Sequence, residues 1–210
     1  MVDKEQTDEQ ETAPDALQPA STGVGPLMQR DYWAIIDGCR CRPSDLIDLV
    51  ASRFPQLPPD DVVVFERDSD GDGNGSLEIG DELDIRIRLA GPARVRVVDR
   101  QPCSLTLATL AGHPEAGRIT FGAYRNDAGD VVFHIRSRAR SSSLTTYLGF
   151  LVGGDPMQTS TWTDFVNNVA VTCGEQVRGQ VHADTALLAP DDLEPADETM
   201  DGPTFIARGD

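Results

Sequence analysis

Six residues able to supply oxygen ligands crowd one short run, residues 70–81, DGDGNGSLEIGD. Asp70, Asp72 and Asn74 place side-chain oxygens at every second position, Ser76 offers a backbone carbonyl, and Glu78 and Asp81 add carboxylates. Calcium takes six to eight such oxygens from a chain that can turn tightly around it, and Gly75 stands where that turn is needed. A second group is His113 and Glu115, two apart between Gly112 and Gly117. An imidazole and a carboxylate so placed can exchange protons with a substrate if both face a cavity; otherwise they bond the backbone of the turn and fix its shape. Tyr124 and His134 are further candidates for acid–base work. A third group is cationic: Arg86, Arg88, Arg94, Arg96, His134, Arg136, Arg138 and Arg140 alternate with apolar residues. Guanidinium groups grip carboxylate or phosphate bidentately. Arg136 and Arg138, with Trp162 for apolar contact, are therefore candidates for holding a ligand that is anionic at one end. The alternative is a solvated outer face whose arginine stems cover apolar surface. Cys39, Cys41, Cys103 and Cys173 include no CxxC pair, so they read as small buried hydrophobes rather than a zinc site or a disulfide framework.

The spacing in 70–81 resembles an EF-hand loop, with Leu77 at the usual apolar anchor position. That resemblance implies bound Ca2+ and nothing more. Asp81 is shorter than the bidentate glutamate usual at the loop's last position, which tilts such a site toward magnesium. Strands rather than helices are expected on both sides. An acidic, glycine-rich hairpin extension, kept soluble by its charge, is the competing reading.

These groups must be positioned by regular elements. Residues 31–41 read as a first strand, with Trp33, Ile35, Cys39 and Cys41 on one face. Leu46, Ile47, Val50 and Phe54 fall at helical spacing behind Pro43 and a candidate N-cap, Ser44. A short strand at 62–65 follows. Five strand patterns then come in succession, around residues 83–89, 94–97, 105–107, 119–124 and 131–136, with a hairpin signal at 126–129. Leu144, Tyr147, Leu148 and Leu151 suggest a short helix, and Trp162, Phe165, Val166, Val169 and Cys173 a longer one that stops at Gly174. This order predicts an α+β fold: a curved antiparallel sheet wrapped around a long C-terminal helix.

The chain has 210 residues and a formal net charge of -17. Residues 1–28 and 184–210 hold most of that excess and little apolar bulk. Both ends are expected to be disordered and dispensable for folding, leaving one domain at 29–183. So acidic a chain does not meet nucleic acid or an anionic membrane through its bulk field. No apolar run spans a bilayer and no targeting segment opens the chain, so a cytoplasmic location is expected. No nucleophile elbow, zinc-protease, phosphate-loop or dinucleotide motif is present.

Thr109, Leu110, Gly112, His113, Glu115 and Gly117, followed by a strand, a hairpin turn and a strand ending in Ser141-Ser142-Ser143, carry a resemblance. The segment 104–143 resembles an uncharacterised bacterial and plant family marked by T-L-x-G-H-x-E-x-G. That family looks like a branch of the START-like, polyketide-cyclase-like superfamily with the helix-grip fold. Arg118 stands where the familiar pattern prefers an acid, and the acidic loop is not a family feature. The resemblance implies a cavity between sheet and long helix for an apolar or amphipathic small molecule. A binding protein is the expected function; a cyclase- or hydrolase-like enzyme in the same cavity and a calcium-responsive regulatory protein are the alternatives.

Overall fold

Alternation of apolar and polar residues at period two marks the strands of this chain. The computed structural model describes residues 13, 15–59, 63–67, 75–87, 91–143 and 155–208. Its strands are β1 (Val24–Asp37), β2 (Val63–Arg67), β3 (Glu82–Ile87), β4 (Gly91–Gln101), β5 (Ser104–Thr109), β6 (Glu115–Arg125), β7 (Val131–Ser141), β8 (Gln176–Val177) and β9 (His182–Leu188). Strands β2 to β7 form the expected antiparallel meander. The hairpin between β6 and β7 is closed by Asn126, whose Oδ1 accepts the N–H groups of Ala128 and Asp130. β1 returns beside β7, and β8 and β9 both pair with the far side of β1.

Two helices cover the inner face of this sheet. In α1 (Pro43–Arg53), Leu46, Ile47 and Val50 are fully buried, as their spacing predicts. Its N-cap is Arg42 rather than Ser44, because Pro43 fits the first helical position, where no N–H is needed. In α2 (Asp155–Thr172), Phe165, Val166 and Val169 are fully buried and Gly174 follows with φ +81°. An antiparallel sheet gripping a long C-terminal helix is the helix-grip arrangement that the sequence led us to expect. The candidate helix at 144–151 lies outside the described residues.

Two expectations are corrected. In β1 the buried face carries Tyr32, Ala34 and Ile36, not Trp33 and Ile35. Trp33 instead stacks on His182 of β9, rings 4.0 Å apart. A shift of one residue exchanges the two faces of a strand, and Trp33 has the bulk of a core residue without its parity. The domain also does not end at 28 and 183. Strand β1 begins at Val24, and Leu17 bridges to Leu110. Strand β9 runs across the expected C-terminal boundary, and a strap follows it over 189–208 with a short helix, α3 (Pro195–Thr199). The acidic residues of these ends are partners for the sheet's arginines: Asp15 pairs with Arg94 at 2.9 Å, and Asp197 reaches two buried arginines.

Three cysteines meet where β1 hands over to α1 and α2 ends. Cys39 Sγ lies 2.6 Å from Cys41 Sγ, and both pack with Cys173 against the core. Burial first, then Cys39, pushes Cys41 up to about 12 and Cys173 up to about 11, the hydrogen bond with Cys41 partly offsetting the rise at Cys173. Both stay protonated at neutral pH and act as small apolar groups. Among the described residues no helix is long and apolar enough to cross a membrane.

Candidate functional site

The two faces of the sheet divide the sequence candidates between them. Even-numbered residues of β6 and β7 point outward, so Arg118, Tyr124, His134, Arg136 and Arg138 lie on the outer face, away from α2. The strap covers that face. Asp197, fully buried, receives hydrogen bonds from Arg138 Nε and Nη2 and from Arg118 Nη2. Met200, at φ +61°, turns the chain so that the carbonyls of Asp201, Gly202 and Pro203 all accept from Arg118 Nη1. Further along, the Thr204 N–H donates to Thr120 Oγ1, and Phe205 packs against His134, rings 4.4 Å apart, beneath Arg136.

Arg136 and Arg138, candidates for holding an anionic ligand end, lie on the outer face and are bound by the chain's own acids. Arg136 Nε and His134 Nε2 both donate to Asp31 Oδ1, each at 2.6 Å. Burial alone would raise the Asp31 carboxyl, but these two donors hold it below the usual carboxylate range. Tyr124 lies beside His134, its hydroxyl pushed up chiefly by burial. These two residues do not face the space between sheet and helix.

Gly122 shows how closely the strap lies on the sheet. A Cβ there would stand 2.6 Å from the Phe205 ring. Gly122→Val is expected to lift Phe205, cost about 1–3 kcal/mol as overpacking does, and expose 189–208 to limited proteolysis. An unchanged cleavage pattern and melting curve would rule out tight docking of the strap.

The inner face has a different polar group. Arg30 lies on the same face of β1 as Tyr32, Ala34 and Ile36 and is 1% exposed. Its guanidinium crosses β7 above the small residues Ser137 and Ala139, and Nη1 donates to Glu115 Oε1 of β6 at 2.9 Å. Ser137 pairs in register with Arg30 on one side and Ile119 on the other. The hydroxyls of Ser137 and Ser141 are buried and find no hydrogen-bond partner among the described residues. Next to this polar end, Ile119 and Trp162 are only partly buried, whereas the aromatic cluster beyond them, Phe54, Phe121, Phe133 and Phe165, is sealed. Trp162 therefore does lie on the helix side, 5.7 Å ring to ring from Phe121.

The T-L-x-G-H-x-E-x-G segment builds this corner. Thr109 Oγ1 accepts the Gly117 N–H at 3.0 Å, and Leu110 is buried. Gly117 permits β6 to press on β7, since a Cβ would stand 2.2 Å from the Arg138 carbonyl oxygen. His113 Nδ1 accepts the Glu115 N–H at 3.0 Å. The same Nδ1 lies 3.0 Å from the Glu115 carbonyl oxygen, and burial lowers the ring's pKa, which favours its neutral form. Gln18 clamps the turn from the N-terminal segment, donating to the carbonyls of His113 and Glu115. His113 is a shaping residue, and the carboxylate it helps place is the partner of Arg30.

Arg30 and Ser137 escaped the sequence reading. Arg30 carries a usable signal, its period-two alignment with Tyr32, Ala34 and Ile36, once the strand is begun before residue 31. Ser137 carries none. Of the expected calcium ligands, Asp70, Asp72 and Asn74 lie outside the described residues. Asp81 Oδ2 accepts the Glu78 N–H at 2.9 Å and closes a turn, next to which Leu77 is buried against the core. Among the described residues no group of three or more His, Cys, Asp or Glu side chains is arranged to hold a metal ion.

Residues 71–167 match the model of a family described as a domain of unknown function (DUF1990), and the motif segment 104–143 lies inside that match. No curated protein matches the chain. Among solved structures, norcoclaurine synthase from Thalictrum flavum, in complex with dopamine and hydroxybenzaldehyde, is similar at 10% identity and a TM-score of 0.49, over 73% of this chain and 89% of that one. The major latex-like protein 151 of Panax ginseng is similar at 15% identity and a TM-score of 0.42, over 70% and 98%. The di-domain ARO/CYC StfQ of the steffimycin biosynthetic pathway is similar at 9% identity and a TM-score of 0.47, over 70% and 51%.

Proposed function

We propose that this chain is a small-molecule binding protein of the helix-grip type. Its ligand lies between the sheet and α2, with an apolar body against Ile119 and Trp162 and a polar end beside Arg30, Glu115 and Ser137. The observation that carries the reading is the pair of buried serine hydroxyls, Ser137 and Ser141, without partners among the described residues. Leaving a buried hydroxyl unsatisfied costs about 1–3 kcal/mol, and folded proteins rarely keep such groups without a use for them. A ligand oxygen supplies the missing partner.

We read the site as one of binding without chemistry of its own. Glu115 is held by Arg30, His113 by the Glu115 backbone, His134 packs on the strap's Phe205 and Tyr124 lies beside His134 on the outer face. Native mass spectrometry of the chain as purified from cells tests the proposal. A mass excess that disappears on denaturation is expected. A bare chain that also fails to take up any of a panel of amphipathic compounds would remove the reading.

A further inference from the structure

The Arg30–Glu115 pair also bears on what kind of polar end the ligand has. Arg30 is the cation of the inner corner, and its charge is already met by Glu115 at 2.9 Å, with both side chains buried. Of the other arginines of β6 and β7, Arg118, Arg136, Arg138 and Arg140 hold even, outward positions, where Arg118 and Arg138 serve Asp197 and Arg136 serves Asp31; Arg125, at the far end of β6, donates to the carbonyls of Gly129 and Cys41. Residues 142–154, which join β7 to α2 in the sequence, contain no lysine, arginine or acidic residue. Burial lowers the pKa of His113, and its Nδ1 is engaged by the backbone of Glu115. Among the described residues an anion brought to the inner face of this corner would find no uncompensated cation, and burying it unpaired is strongly unfavourable. A neutral oxygen meets no such penalty. Ser137, 5% exposed and without a partner among the described residues, can donate to it or accept from it.

From this we infer that the buried end of the ligand is an uncharged oxygen group, a hydroxyl or a carbonyl, received by Ser137 beside the Arg30–Glu115 pair, and not a carboxylate or phosphate. The inference rests on the binding reading above and names the ligand class that site takes. It reverses the expectation of an anionic end, which depended on Arg136 and Arg138. Glu115 acts as the selectivity residue: by neutralising Arg30 it withholds the charge that a carboxylate would need.

Trp162 borders the site, so its fluorescence reports binding once the other tryptophan is removed by Trp33→Phe. Three probes share one apolar tail: 1-decanol, decanamide and decanoate. Titrated at neutral pH into the full chain, decanol and decanamide are expected to bind at least about tenfold tighter than decanoate, the least that an unpaired charge would cost. Ser137→Ala should weaken decanol and decanamide about 3- to 10-fold, the loss of one hydrogen bond. Glu115→Gln should remove the carboxylate that faces Arg30 Nη1 and narrow the gap between decanoate and decanol. If Glu115→Gln does not fold, the decanamide and decanoate pair in the unaltered site and the Ser137→Ala series still decide the matter. Decanoate binding as tightly as decanamide, or no loss on Ser137→Ala, overturns the inference and leaves the binding reading standing. No response to any of the three probes, with no co-purified ligand, overturns both.

Discussion

Asp197→Ala is expected to lower the stability of this chain by about 3–5 kcal/mol, the usual cost of removing one partner from a buried ion pair. The carboxylate is fully buried and holds two arginines: Arg138 through Nε and Nη2, and Arg118 through Nη2. Without it both guanidinium groups stay in a desolvated seam with only more distant carboxylates among the described residues: Glu194 for both, Asp192 for Arg138 and Asp99 for Arg118. The chain can limit that cost by lifting the strap and letting water reach the arginines. The loss is therefore capped by the docking free energy of 189–208, and the variant should show new protease cleavage there. On a domain of this size the melting temperature should fall on the order of 10 °C. The same residue gives a pH dependence. Burial would raise the Asp197 carboxyl, but hydrogen bonds from Arg138, the Glu194 N–H and Arg118 outweigh it and hold the pKa below the usual value. Its stabilising contribution is thus fully present above the unfolded carboxylate value of about 4 and is lost as pH falls through the lowered folded value. Between pH 5 and pH 3 the unaltered chain should lose more stability than Asp197→Ala does. A loss under about 1 kcal/mol at neutral pH, with parallel acid curves, would show that the strap is not anchored by this residue.

The strap also explains where reasoning from sequence failed. Composition marks 184–210 as acidic and poor in apolar bulk, which usually means that ordering costs more than burial returns. Here the return comes from elsewhere. The sheet presents an arginine row on its outer face, and the strap brings Asp197, three aligned carbonyls and Phe205 to it. Two segments that each look solvated satisfy one another, and a local window of residues does not register that pairing. For the same reason Arg136 and Arg138 look available for a ligand in sequence and are occupied in the fold.

What was legible rests on strong local patterns. The meander follows from five alternating runs, and α1 follows from Leu46, Ile47 and Val50 at helical spacing. The motif from Thr109 to Gly117 was readable as a shaped turn, and Glu115 as a residue of interest. Its partner Arg30 is 85 positions away and reaches it across an intervening strand. Nothing within the motif shows that its carboxylate meets a buried cation rather than a substrate. The acidic run at 70–81 has the spacing of oxygen ligands; Asp70, Asp72 and Asn74 lie outside the described residues, and Asp81 Oδ2 accepts the Glu78 N–H.

Phe165→Ala is expected to cost about 3–5 kcal/mol, the range for emptying a buried phenylalanine site. The helical spacing of Trp162, Phe165, Val166 and Val169 makes α2 the cover of the sheet, and Phe165 is its centre. Its ring is fully buried and lies 5.1 Å from Phe121, 5.4 Å from Phe54 and 5.8 Å from Trp162, with Phe133 stacked at 6.3 Å. Those neighbours come from β6, the segment after α1, α2 itself and β7, so one ring ties both helices to the middle of the sheet. Such rings sit in edge and tilted arrangements that a smaller side chain cannot maintain, and the surrounding strands are too well paired to collapse into the gap. The loss should therefore fall toward the upper end of the range. Phe165→Leu, which keeps most of the volume, should lose less than half as much. Equilibrium unfolding in urea measures both. A cost below about 1 kcal/mol for Phe165→Ala would mean that α2 does not seal the core and that the sheet does not grip it. In the folded variant the emptied volume adjoins Trp162, so the cavity should extend the apolar end of the proposed site. Longer-tailed alcohols should then gain affinity relative to 1-decanol, whereas a site elsewhere on the molecule would leave their order unchanged.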